Sequence, residues 1–299
     1  MIVASQIALQ HGALRCGIDA RGAELRSLTD VTSGEEFIWQ GDPAYWTGSA
    51  PILFPVVGRL KGGAYTHGGQ RYELPIHGFA RTMDFTLLDQ HRQGATLMLR
   101  DTPATRAMYP FPFILRVNFT LEMHCLRVSY EVENPGRQPL LFSLGSHPAF
   151  RLPPSPRGRR DWLLAFSDEE DGICHRLDGN LLAELPETLD FAPGYRLRLC
   201  DELFERDAIF IKQLRSRHIR LVHRSGRVRL SVTTGGTPSL GLWSRPGAGY
   251  ICIEPWHGYD DDAGVSGELA AKPGIVSLAA GSIFRTAYTV CVPPAQRFA

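Results

Sequence analysis

Lysine is nearly absent from this chain: of its 32 basic residues only Lys61, Lys212 and Lys272 are lysines. The 31 acidic residues bring the net charge to +1. No field of one sign is therefore present to draw in nucleic acid or an anionic membrane surface. Long hydrophobic runs are missing as well, none approaching the roughly 20 residues of a membrane span. Residues 1–6 lack the basic and apolar regions of a secretion leader. The six cysteines, Cys16, Cys125, Cys174, Cys200, Cys252 and Cys291, show neither C-x-x-C nor zinc-type spacing. They read as small packing hydrophobes in a reduced, cytoplasmic protein. There is no glycine-rich phosphate loop, no dinucleotide fingerprint and no G-x-S-x-G elbow. Asp260-Asp261-Asp262 fails the spacing of a calcium loop and reads as a solvated loop. The expectation is a protein with no metal and no cofactor.

What is present is β pattern. From Leu115 to Glu122 and from Leu126 to Glu133, apolar and polar residues alternate, as an antiparallel pair with one buried face demands. Turn signals separate further short runs along the whole chain, and helical pattern is scarce: residues 102–109 suit one or two turns, and residues 204–206 lie near another turn. About fifteen to twenty short strands imply an all-β sandwich or barrel. No repeat or linker divides the chain, so 1–299 is read as one domain, long enough to bury its core without disulfides.

Several polar residues stand at strand ends or in loops. Glu254 follows the apolar run Ile251-Cys252-Ile253, and Pro255 is expected to stop the ladder there. A buried carboxylate loses its water and gains proton affinity, which makes it a base usable near neutral pH; a strand-end glutamate facing solvent is the ordinary alternative. Trp256 offers a flat apolar wall. His147 ends the run 140–146, with Pro148 restricting its backbone, where an imidazole can act as acid or base. The proline-interrupted segment 51–59 reads as buried and irregular, presenting Arg59. His77, Gly78 and Arg81 share one short loop, in which Gly78 allows close approach of a ligand. Asp207 precedes the short apolar run 208–211. If these groups converge, carboxylates, imidazoles, a guanidinium and aromatic rings suit a neutral polyhydroxylated ligand.

Val56-Val57-Gly58-Arg59, His77-Gly78-Phe79-Ala80-Arg81, Ser146-His147-Pro148-Ala149-Phe150 and Ile253-Glu254-Pro255-Trp256 resemble, in order, the motifs of the aldose 1-epimerase (galactose mutarotase) family, in its shorter bacterial branch. The resemblance implies a galactose-mutarotase-like β-supersandwich, a small sugar as partner, and a monomer or homodimer. It implies that Glu254 is the general base at the anomeric hydroxyl and His147 the general acid at the ring oxygen. Arg59, His77 and Asp207 would hold sugar hydroxyls. The sequence departs from the longer pattern after Arg59, where Asn-Arg is absent, and after His77, where Phe79-Ala80-Arg81 replaces a second glycine. Both departures lie in the substrate wall. A hexose phosphate, with Arg81 at the pocket mouth, and a non-catalytic sugar-binding protein are the alternatives.

Overall fold

The computed structural model describes residues 6–294. The leader reading falls on residues 1–5, which lie outside the described residues. The chain is built from antiparallel sheets. The largest has nine strands, in the order Arg196–Arg198, Trp162–Phe166, His218–His223, Val228–Thr233, Ile283–Cys291, Cys125–Glu133, Ile114–Glu122, Gly94–Arg100 and Thr86–His91. The alternation seen in the sequence sets its centre: Leu115, Val117, Phe119 and Leu121 are buried, and Val117 pairs with Tyr130 and Phe119 with Val128 across the ladder. The strands Gln6–His11, Leu14–Asp19, Glu24–Asp30 and Glu35–Glu36 form a second sheet. The one α-helix among the described residues, Pro103–Met108, starts at Thr102 with a capping box and a proline in its first turn.

A smaller sheet carries the candidate site. Its path runs Ile209–Ile211, Ser239–Trp243, Tyr250–His257, Leu144–Ser146 and Ile52–Leu53, and Ala149–Arg151 also pairs with Tyr250–His257. In Tyr250–His257 the side chains alternate between two buried environments. Ile251 and Ile253 join the main core, while Tyr250 and Cys252 pack with Trp46 and Trp243, and Trp256 with Phe210. Glu254 shares the face of Cys252 and Trp256 by the period of two. The Ser146 hydroxyl, 2.9 Å from the Tyr130 hydroxyl, links this sheet to the nine-stranded one.

Three expectations are corrected here. Pro255 does not end its strand; pairing continues through Leu240 opposite Pro255 to Leu144 opposite His257. The reason is local. Ile253 N–H donates to Pro148 O at 3.2 Å, so the nitrogen of Pro255, two residues on, faces the same side. The neighbouring chain there breaks between Leu144–Ser146 and Ala149–Arg151, and no ladder donor is required. The cysteines are not all free: Cys125 and Cys291 are directly paired in register and joined by a disulfide, whereas Cys16, Cys174 and Cys252 are buried thiols. The aspartates at 260 and 261 are not solvated; both are buried, with backbone amides and cations of neighbouring segments bonded to Asp260 Oδ1 and to both oxygens of Asp261.

Among the described residues no helix is long and apolar enough to cross a membrane.

Candidate active site

Glu254 is only 1% exposed, yet it sits in mid-strand opposite Gly241, which has no side chain to crowd it. Its Oε2 has no hydrogen-bond partner and lies 3.3 Å from His147 Nε2. His147 reaches it because the chain bends at His147-Pro148 between two short strands that both pair with Tyr250–His257. The His147 amide is held by Pro51 O at 3.1 Å. The ring is 8% exposed and lies against Trp46, with centroids 4.9 Å apart and planes at 29°. Trp243 meets it edge-on at 5.6 Å.

The two groups are pushed in opposite directions. Burial raises Glu254 well above the ordinary carboxyl range, and the nearby Asp260 and Asp207 carboxylates add to the rise. Burial also lowers His147 to about 3, opposed by a hydrogen bond to its own backbone, with the Arg81 charge a further lowering cause. Burial thus opposes charge on both partners of the 3.3 Å approach.

His77 stands edge-on to His147 at 5.7 Å. Its Nδ1 accepts from Gly58 N–H at 3.0 Å, while the His77 backbone N–H donates to Gly58 O at 2.8 Å. A ring whose Nδ1 is an acceptor carries its proton on Nε2 when neutral. Burial, then the charges of His147, Arg81 and Arg59, keep it neutral by pushing its proton affinity well down. Arg59 N–H donates to Asp260 Oδ1 at 2.9 Å, and its guanidinium bridges Asp260 at 3.2 Å and Asp207 at 3.3 Å. His77 and Asp207 both have positive φ, +65° in each case. Strained backbone at two candidate residues is a mark of positions kept for their side chains.

The structure therefore brings together Arg59, His77, His147, Asp207 and Glu254, with Arg81 half-buried close enough to disfavour charge on both imidazoles. It does not leave Trp256 as an open wall. That indole is 2% exposed, donates Nε1–H to Ser146 O at 3.2 Å and packs on Phe210. A side chain at Gly145 or Gly241 would collide with it, so the two glycines are its seat. The half-buried aromatic rings beside His147 are Trp46 and Trp243, which the motif reading missed. The period-two step from Gly241 to Trp243, opposite Glu254 and Cys252, is the signal that could have found Trp243. Trp46 lies in an irregular loop and carries no such signal.

Gly78 also differs from expectation. The space that its missing side chain leaves is taken by the chain itself: a Cβ there would lie 2.3 Å from Phe54 O, at a φ of +70°. Gly78→Ala is expected to lower stability by at least about 2 kcal/mol through positive φ and backbone collision together. A shift of the urea unfolding midpoint measures it, and an unchanged midpoint would contradict this packing.

One trio among the described residues could offer ligands to a metal: donor atoms of His147, Cys252 and Glu254 lie within 4.8 Å of one another. Burial, and then the Glu254 charge, push the Cys252 thiol well up, so it stays protonated.

Residues 5–276 match the aldose 1-epimerase family. The chain is 30% identical to the plasmid-encoded LacX protein of Lactococcus lactis subsp. lactis, over 96% of this chain and 99% of that one. A galactose mutarotase related enzyme from Lactobacillus acidophilus superposes with a TM-score of 0.92 at 31% identity, covering 98% of this chain and 99% of the other. A galactose mutarotase-like protein from Lactobacillus casei gives a TM-score of 0.91 at 28% identity, covering 97% and 100%. The fold is thus the galactose-mutarotase-like one, and the chain belongs to the aldose 1-epimerase family.

Proposed function

We propose that this protein is an aldose 1-epimerase acting on a neutral hexose, with residues 1–299 as one catalytic domain. The observation that carries the reading is the buried pair of His147 Nε2 and Glu254 Oε2, 3.3 Å apart, flanked by hydroxyl-binding groups. A free sugar offers hydrogen-bonding partners to both. With its hydroxyls replacing the carboxyl–imidazole contact, the reactive form has His147 protonated and Glu254 as carboxylate. Glu254 takes the proton of the anomeric hydroxyl while His147 gives its proton to the ring oxygen. The bond from the anomeric carbon to the ring oxygen breaks, and its electron pair goes to that oxygen. The carbonyl of the open aldehyde forms from the deprotonated hydroxyl. Rotation about the bond between C1 and C2 turns the other face. Reclosure returns the ring-oxygen proton to His147 and the Glu254 proton to the new anomeric hydroxyl. The proton count of the pair is one before and after, so no outside acid or base is consumed. Arg59 and the Nε2–H of His77 donate to hydroxyls, Asp207 accepts, and Trp46 and Trp243 offer apolar faces.

Exchange spectroscopy by proton NMR tests this at equilibrium. Cross-peaks between the α and β anomeric protons of galactose or glucose are expected to appear with catalytic amounts of protein. Their absence with both sugars would overturn the reading.

One observation favours a hexose phosphate instead. Arg81 is half-buried and makes no ion pair among the described residues. Anomer exchange of glucose 6-phosphate faster than that of glucose, lost in Arg81→Gln, would establish that branch.

A further inference from the structure

Arg59 is held by a residue that the reaction above does not use. Asp260 is 2% exposed, and its Oδ1 accepts from both the backbone N–H and Nη1 of Arg59, at 2.9 and 3.2 Å. The other end of the guanidinium, Nη2, reaches Asp207 Oδ2 at 3.3 Å. One planar fork is stretched between a buried carboxylate and one whose side chain is 41% exposed. A rigid fork tied at one nitrogen to a fixed wall has little freedom left at its second edge.

The wall is fixed by its neighbours. Asp261 N–H donates to Arg59 O at 2.9 Å. The Asp261 carboxylate accepts from Lys61 N–H at 2.9 Å and pairs with the buried Lys272 at 2.5 Å. These bonds strap the segment after Tyr250–His257 onto residues 59–61. Room for the Asp260 carboxylate comes from Gly58, where a Cβ would lie 2.1 Å from Oδ2 at a φ of +74°. That Oδ2 is buried without a hydrogen-bond partner. Such an atom is expensive to keep, and a merely structural contact would be met as well by an amide. The carboxylate's remaining asset is its charge, and the cation within ion-pair distance is Arg59.

We propose that Asp260 is the positioning residue for Arg59, aiming the guanidinium across the sugar site so that it meets substrate and Asp207 in one orientation. The proposal rests on the reading of Arg59 as a sugar ligand. It assigns a task to the aspartate pair after the catalytic strand: Asp261 fixes the backbone and Asp260 fixes the guanidinium.

Asp260→Asn keeps an oxygen for the Arg59 amide and removes the charge. KM for galactose is expected to rise about tenfold, the order lost with one hydrogen bond to a charged group, a larger change than that in kcat, which Asp260 touches only through its charge near Glu254. Added to Arg59→Met, the same substitution should alter KM no further. A KM within twofold of wild type overturns the proposal, and so does an effect that multiplies with that of Arg59→Met. A merely structural residue would lower stability and kcat together, and its effect would multiply. Gly58→Ala is the second variant. It keeps every charge and displaces the carboxylate from behind, so the same rise in KM is expected, and an unchanged KM counts against the proposal. The cycle can also be read without turnover, as the dissociation constant of galactose from quenching of Trp46 and Trp243 fluorescence. A wild type that binds galactose without interconverting its anomers sinks the functional reading, and the binding cycle then decides on Asp260 alone.

Discussion

Glu254→Gln is expected to lower turnover by about 10²–10⁴-fold, the usual worth of a placed general base, and at the same time to make the protein harder to unfold. The first effect follows because an amide cannot accept the anomeric proton. The second follows from burial. The carboxyl is pushed well above its ordinary value of 4.5 in the fold. Between the unfolded and folded values the native state holds a proton that the unfolded chain releases. Stability due to this group is thus present at low pH and lost as pH rises through that window. Glutamine carries no such dependence. The variant should unfold at higher urea than wild type above the unfolded value, by about 1.4 kcal/mol for each pH unit crossed in that window. The gap should be wider at pH 8 than at pH 5. A variant as active as wild type would remove Glu254 from the chemistry. One less stable at both pH values would contradict the burial argument.

His147→Ala is expected to cost a similar factor in turnover, since it removes the group that would give a proton to the ring oxygen. Its stability signature has the opposite sign. The imidazole is lowered from 6.5 to about 3, chiefly by burial. Below 6.5 the unfolded chain takes up a proton that the fold refuses, so the contribution is intact above that pH and lost as pH falls toward 3. The alanine variant loses packing against Trp46, and its melting temperature should drop at neutral pH. The fall in stability between pH 7 and pH 4 should nevertheless be shallower than in wild type. An equally steep fall would mean that the imidazole titrates freely. Normal turnover in this variant would exclude it as the acid.

The sheet core was legible because the alternation at Leu115–Leu121 and Leu126–Val132 repeats a simple physical rule, one face wet and one dry. The short ladders were not: Glu35–Glu36 and Ile52–Leu53 have only two residues each, too few for any period. At the site, Arg59, His77, His147, Asp207 and Glu254 were readable as chemistry-bearing residues next to glycine, proline or strand ends. Their convergence was not, since residues as far apart as Arg59 and Asp260 meet only through tertiary contacts. The misreadings share a cause. Pro255, Trp256, Gly78 and Asp260 were each assigned from their own local chemistry. What decides their parts is a partner distant in sequence: the break at His147-Pro148, Gly145, the carbonyl of Phe54, and Arg59. The Cys125–Cys291 bond is of the same kind, joining two strand neighbours 166 residues apart.

The central claim is that a buried carboxyl and imidazole interconvert anomers by passing one proton across a sugar ring. Polarimetry of freshly dissolved α-galactose and α-glucose, with wild type and Glu254→Gln in parallel, tests it most directly. The account expects wild type to speed the approach to an unchanged final rotation and the variant to leave the spontaneous rate nearly untouched. A wild-type trace no faster than buffer with either sugar would contradict it, as would a variant that matches wild type.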